Sequence, residues 1–243
     1  MAKKKSAPPE PPEPPRRGLL ARALRWVWYW FWRGAVLATG LMLTSIAIYA
    51  FVNPPITMTI LGEWWRLGQT HRKWVPIEDI NPVMARSVVA AEDANFCLHW
   101  GFDVPAIRAA IAEGGTRGGS TISQQVTKNV FLWQGRSWPR KAFEAAITPM
   151  VELVWTKRRV LEVYLNVAEF DTGVFGVHAA AEGYFNTTPD KLTARQAALL
   201  AAVLPDPKRR DAANPSAFVS RRAEAIADGA ETIKADGRTA CWE

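Results

Sequence analysis

Cysteine is scarce in this 243-residue chain: there are two, Cys97 and Cys241. In an exported domain they could pair, and separate buried thiols fit the sequence equally well. Strand signals are few and no internal repeat appears, which argues against a β-sandwich, a barrel or a solenoid and leaves a mainly α chain. Charge is also scarce where a nucleic-acid-binding face would need it. The chain carries a net charge of +7, but residues 1–33 hold eight Lys and Arg against two Glu, and the remaining 210 residues carry only +1. No nucleic-acid partner is indicated by this distribution. A third absence is the uncharged run GAVLATGLMLTSIAIYAFV, residues 34–52. Nineteen residues without charge are long enough to cross a bilayer core as a helix.

What precedes this run sets its expected orientation. Residues 1–17 contain six prolines and no apolar periodicity, which makes them a disordered or extended tail. Residues 18–52 read as the membrane anchor, with Trp26, Trp28, Trp30 and Trp32 at its N-terminal edge. Basic residues before the span place the tail in the cytoplasm and residues 53–243 outside. A cleaved signal peptide and a buried core helix are the rival readings. The boundary YAFVNPP is a poor cleavage site.

Beyond the anchor, residues 53–74 read as a loop with a short amphipathic segment near the membrane. Helix starts follow at Asn81-Pro82, at Asp103-Val104-Pro105 and at GGSTISQQ, residues 118–125. There Thr121 and Gln124 have capping-box spacing. Residues 139–170 form a long helical stretch with a break at Pro149 or between Trp155 and Arg159. An apolar helix over 192–204 stops at PDP, and the chain closes on a solvated helix.

The stretch SVVAAEDANFCLHWGFD, residues 87–103, concentrates candidate chemistry. On a helix over 82–95, Met84, Val88, Ala91 and Asn95 form one stripe. Glu92 lies at its margin, and Asp93 is turned about 100° away, toward Arg86. A carboxylate against apolar surface has a raised pKa and suits acid or base work. The plainer reading is a glutamate whose stem covers a core edge while its head reaches water. Glu92, Asp93, Cys97 and His99 do not make a metal motif, because no two ligands stand one helical turn apart and the set mixes soft and hard donors. His99 reads as a helix-end residue bonded to backbone or to a neighbouring acid.

Farther on, Glu144 falls between Arg140 and Lys141, with Glu152 on roughly the same side. This is either a surface salt-bridge ladder or a carboxylate among cations that meets an anionic substrate. Lys128 and Arg136 lie upstream. Thr121, Gln125 and Lys128 share one helix face, a donor set suited to sugar and phosphate oxygens.

These residues resemble the glycosyltransferase family 51 peptidoglycan polymerases, most nearly the monofunctional biosynthetic transglycosylases. The likeness covers about residues 74–216. It rests on Glu92-Asp93-x-x-Phe96-x-x-His99-x-Gly101, Gly118-Gly119-Ser120-Thr121-Ile122-Ser123-Gln124-Gln125, Arg140-Lys141-x-x-Glu144 and Lys157-x-x-Val160-Leu161-Glu162-x-Tyr164-Leu165-Asn166, in family order. Asp171, Glu182-Gly183 and Gln196 depart from the pattern. The resemblance implies a lysozyme-like helical lobe and a small membrane-associated lobe, behind one N-terminal transmembrane helix. It implies polymerisation of lipid II into β-1,4 glycan strands with inversion and release of undecaprenyl pyrophosphate, at the bacterial inner membrane with the catalytic domain in the periplasm. Glu92 would be the base and Glu144 the second acid. Asp93, Ser120, Thr121, Gln124, Gln125, Lys128, Arg136, Arg140 and Lys141 would bind substrate. No cofactor is obligatory, and Mg²⁺ or another divalent cation is compatible with pyrophosphate chemistry. Partners would be lipid II, the growing strand, the membrane, and proteins of wall synthesis or division. Two alternatives stand beside this reading: a lysozyme-like wall hydrolase, and a non-catalytic lipid II-binding scaffold.

Overall fold

The computed structural model describes residues 18–112, 114, 119–135 and 137–243. The proline-rich tail, Gly118 and Arg136 lie outside the described residues. The chain divides into two units, residues up to Thr44 and residues Ser45–Glu243.

Helix α1 (Leu19–Tyr49) starts well before the uncharged run. Its apolar window has a mean hydropathy of 1.5, and its length and composition suffice to cross a membrane. Its aromatics meet at helical spacing. Trp26 and Trp30 lie edge to face at 6.5 Å, and Trp28 and Trp32 at 5.6 Å. The Arg33 guanidinium covers the Tyr29 ring at 5.1 Å.

The second unit is mainly helical. Thr57 caps α2 (Met58–Leu67), which Gly68 ends in the left-handed conformation. Trp64 and Trp65 on α2 are exposed, whereas Trp74 is held in place by its Nε1 donating to Glu162 at 3.2 Å. A small sheet follows the order β1 (His71–Arg72), β3 (Val174–Phe175), β2 (Glu169–Asp171). β1 runs parallel to β3, β2 runs antiparallel to it, and the register slips between Glu169 and Asp171. Gly176, at φ +80°, opens the next helix. A Cβ there would come within 2.9 Å of the Asn166 carbonyl oxygen.

Asn81 caps α3 (Pro82–Glu92), with its side chain accepting from Val83 N. The helix ends at Glu92, three residues short of the expected span. α4 (Val104–Ala112) begins where Asp103 Oδ1 accepts from Ala106 N at 2.9 Å. Both halves of the Thr121–Gln124 capping box close at the start of α5 (Ile122–Phe131). α6 (Trp138–Val154) runs through Pro149, and the break falls at Trp155, where Thr156 caps α7 (Lys157–Val167).

After α8 (Gly176–Phe185) comes α9 (Ala194–Val203), whose residues from Ala197 onward are all buried. Gln196 fills the capping box with Thr193 as a glutamate would, so that departure leaves the helix start intact. α10 (Ala217–Ala235) is not simply a solvated helix. Its Val219, Ala223, Ile226, Ala230 and Ile233 are buried, and it packs on α9 and α3. Alanines in α9 and Gly229 in α10 permit this close packing. A Cβ at Gly229 would stand 3.3 Å from Ala90 Cβ. The last turn of α3, which carries Glu92, is thereby fixed against two helices. Cys97 and Cys241 are joined in a disulfide, which the sequence left open.

Candidate active site

Glu92 ends α3, partly exposed on the wall of a cleft of about 280 Å³. The cleft is also lined by Asp93, Asn95, Asp103, Ser120 and Thr121. Gln125 Nε2 donates to Glu92 Oε2 at 2.8 Å, and Tyr164 Oη donates to Gln125 Oε1 at 3.2 Å. The glutamine amide is therefore oriented from behind. Burial raises the Glu92 pKa, against the lowering pull of Gln125 and of the charges on Arg222, Lys128 and Arg210.

Asp93 does not turn toward Arg86. Its Oδ1 accepts from His99 Nε2 at 2.8 Å, and its Oδ2 accepts from Ile122 N at 3.0 Å, at the positive end of α5. It is a buried brace between the turn after α3 and α5, while Arg86 pairs with Glu243. Gly101 (φ +79°) lets this turn press against α6, since a Cβ there would meet Thr148 Cγ2 at 2.8 Å.

Thr121 and Gln124 are both buried, with their polar atoms held in the capping box; Thr121 Oγ1 also donates to Gly101 O at 2.6 Å. They set the direction of α5, on which Gln125 reaches Glu92 and Lys128 lies within the fields of Glu144, Arg140, Lys141 and Glu92. Burial lowers the Lys128 pKa, while Glu144 and Glu92 both pull it up. Among the described residues its ammonium has no hydrogen-bonded or ion-paired partner.

Glu144 is buried, so the surface-ladder reading does not hold. Arg140 Nη1 donates to its Oε2 at 2.8 Å, and Lys141 Nζ pairs with its Oε1. Lys141 also donates to Ser120 Oγ at 3.0 Å, joining the loop before α5 to α6. A cavity of about 290 Å³ lies beside Ser137, Trp138, Arg140 and Lys141. Glu152 is buried too, accepting from Ser123 Oγ and, at 2.8 Å, from Lys157 Nζ.

Residues 59–231 match the transglycosylase family. The chain is 62% identical to a biosynthetic peptidoglycan transglycosylase of Jannaschia sp. (strain CCS1) over 227 residues, covering 93% of this chain and 94% of that protein. It is 48% identical over 217 residues to a protein of the same name from Yersinia pseudotuberculosis serotype IB (strain PB1/+), covering 84% and 90% of the two. A third of that name, from Yersinia pestis (strain Pestoides F), is 47% identical over the same length. This chain belongs to the transglycosylase family.

Sequence reasoning missed several residues that support the transglycosylase site. Tyr164 was visible only as a motif position, and its hydroxyl reaches Gln125 across 39 residues. Arg210 and Arg222, which act on Glu92 electrostatically, carry no local signal. The Ser123–Glu152–Lys157 group joins three helices and has no signature within any one of them.

Proposed function

We propose that Glu92 is the general base and Glu144 the organiser of the cations in a reaction that joins lipid II units with inversion. The chain is a peptidoglycan glycosyltransferase of cell-wall synthesis, acting on lipid II. The observation that carries the residue roles is the pairing, in one helical unit, of a burial-raised carboxylate with an ammonium that has no partner among the described residues and two further cations.

The roles follow from charge. A base must take a proton from the acceptor sugar's 4-hydroxyl as that oxygen attacks the donor anomeric carbon. Glu92, with a raised pKa and a neutral amide as partner, is a stronger proton acceptor than an ordinary glutamate. The bond to pyrophosphate breaks on the opposite face, and the pair of electrons leaves with undecaprenyl pyrophosphate. Lys128, Arg140 and Lys141 offer fixed positive charge to that leaving group. Lys128 is the best placed of the three, because among the described residues no carboxylate is paired with it directly. Asp93 holds the turn, Gln125 aims Glu92, and Ser120 steadies Lys141.

Among the described residues no three acid, His or Cys side chains converge on a metal position. Glu144 and Asp93 already have their own cationic or N–H partners, so the donor set does not fit a protein-held divalent ion. Mg²⁺ would enter on the substrate's pyrophosphate.

The N-terminal helix supports a single-pass anchor, with the tail cytoplasmic and the catalytic unit periplasmic. The disulfide supports the same side, since such bonds persist in oxidising compartments. The test is to supply the detergent-solubilised full chain with lipid II. Glycan polymer and released undecaprenyl pyrophosphate are expected. Degradation of purified sacculi without lipid II turnover would instead show a hydrolase, and binding without turnover a scaffold.

A further inference from the structure

The end of the chain returns to the turn that joins Glu92 to His99. Three contacts fasten it there. Arg238 Nη1 donates to Ala94 O at 2.9 Å, Cys241 is bonded to Cys97, and the buried Trp242 ring lies 5.9 Å from that of Phe96. Two more contacts tie the same segment to helices. Trp242 O accepts from Arg158 Nη1 on α7 at 2.7 Å, and Glu243 Oε1 accepts from Arg86 Nη1 on α3 at 3.1 Å.

The turn has little regular structure of its own. α3 has ended, Phe96–Leu98 make one 3-10 turn, and Asp93 and Asn95 bond across it to His99, Ile122 and Asp103. Those bonds hold its inner side. The outer side is held by residues 238–243.

We infer that residues 238–243 are a clasp, closed by the Cys97–Cys241 disulfide, that positions Glu92 and Asp93 for glycosyl transfer. Cys97, Cys241, Arg238 and Trp242 are positioning residues, and none of them need touch substrate. The inference rests on Glu92 being the base. Its logic is geometric. The surroundings that raise the Glu92 pKa depend on where the last turn of α3 sits, and a base displaced by about 1 Å loses much of its effect. Opening the clasp is a defined chemical step. A dithiol delivers two electrons and two protons to the S–S bond, two thiols remain, and the dithiol becomes its own cyclic disulfide. The chain has no other cysteine, so reduction acts at this place alone.

The experiment uses the full chain in detergent with lipid II, oxidised or reduced with dithiothreitol, beside Cys241→Ser and Trp242→Ala. The expected result is a kcat lowered about tenfold in the reduced protein and in both variants, with KM for lipid II held within about twofold. The acid limb of the pH profile should also move down toward the ordinary glutamate range, as Glu92 gains solvent. Dithiothreitol should leave Cys241→Ser unchanged. A lower melting temperature with unaltered kcat and pH limb would make the disulfide merely structural and overturn the clasp. Oxidised wild type that is active and equal to reduced wild type overturns the clasp alone. Oxidised wild type that makes no polymer overturns the transferase reading, and the clasp's role with it.

Discussion

Glu92, at the end of α3 beside α5, and Glu144 on α6 lie in opposite surroundings. Glu92 meets a neutral amide, and burial outweighs three distant cations to raise its pKa. On α6, Glu144 is gripped by Arg140 and Lys141 and has both oxygens occupied. One carboxylate is kept available for a proton, and the other is committed to holding positive charge. Lys128 feels both acids and joins the two regions electrically. The same side chain thus stands in two electrostatic settings, set by packing rather than by residue type.

The sharpest way to break this contrast is to neutralise each acid in turn. Glu92→Gln should lower lipid II polymerisation by about 10³-fold or more with the fold retained, since proton transfer is removed outright. Glu144→Gln should cost about 10²-fold, chiefly by releasing Arg140 and Lys141 from their set positions. Measured initial rates of equal size for both variants would erase the distinction. Lys128→Met should lower the rate about tenfold by removing one fixed charge from the leaving group. Tyr164→Phe removes only the bond that orients Gln125, and a loss of about threefold is expected in the same assay.

Stability gives an independent reading of the surroundings of Glu92. Glu92 ionises near the ordinary 4.5 in the unfolded chain and at higher pH in the fold. The unfolded chain therefore loses this proton first, and the contribution of Glu92 to stability falls as pH rises through the folded value. Glu92→Gln should melt higher than wild type at neutral pH, and the gain should disappear below pH about 4. A variant that melts lower at neutral pH would mean that the ionised carboxylate is well accommodated.

Much of this arrangement was legible in the sequence where the signal is local. Asn81-Pro82, the Thr121–Gln124 box and the α6–α7 break each rest on residues within a turn of one another, and each appears in the structure. The apolar stripe Met84–Val88 put Glu92 at a core edge but turned Asp93 toward Arg86, whereas Asp93 is the more buried of the two and bonds His99 and Ile122. The stripe could not reveal what Asp93 does, because one of its partners, Ile122, is 29 residues away. The terminal helix α10 looked solvated because its five buried positions, Val219, Ala223, Ile226, Ala230 and Ile233, stand singly among charged and small residues. Its fit to α9 and α3 depends on alanines and a glycine that hydropathy scarcely registers. The sheet went unseen because its strands are two or three residues long and one pairing is irregular.

The poised base is tested most directly by the pH dependence of kcat/KM for lipid II, in wild type and Lys128→Met. A base held above the ordinary glutamate range gives an acid limb above pH 4.5 in wild type. Removing the nearby cation, which lowers the Glu92 pKa, moves that limb to still higher pH. A wild-type profile that stays level down to pH 4.5, or a limb that does not move in Lys128→Met, contradicts the assignment of Glu92.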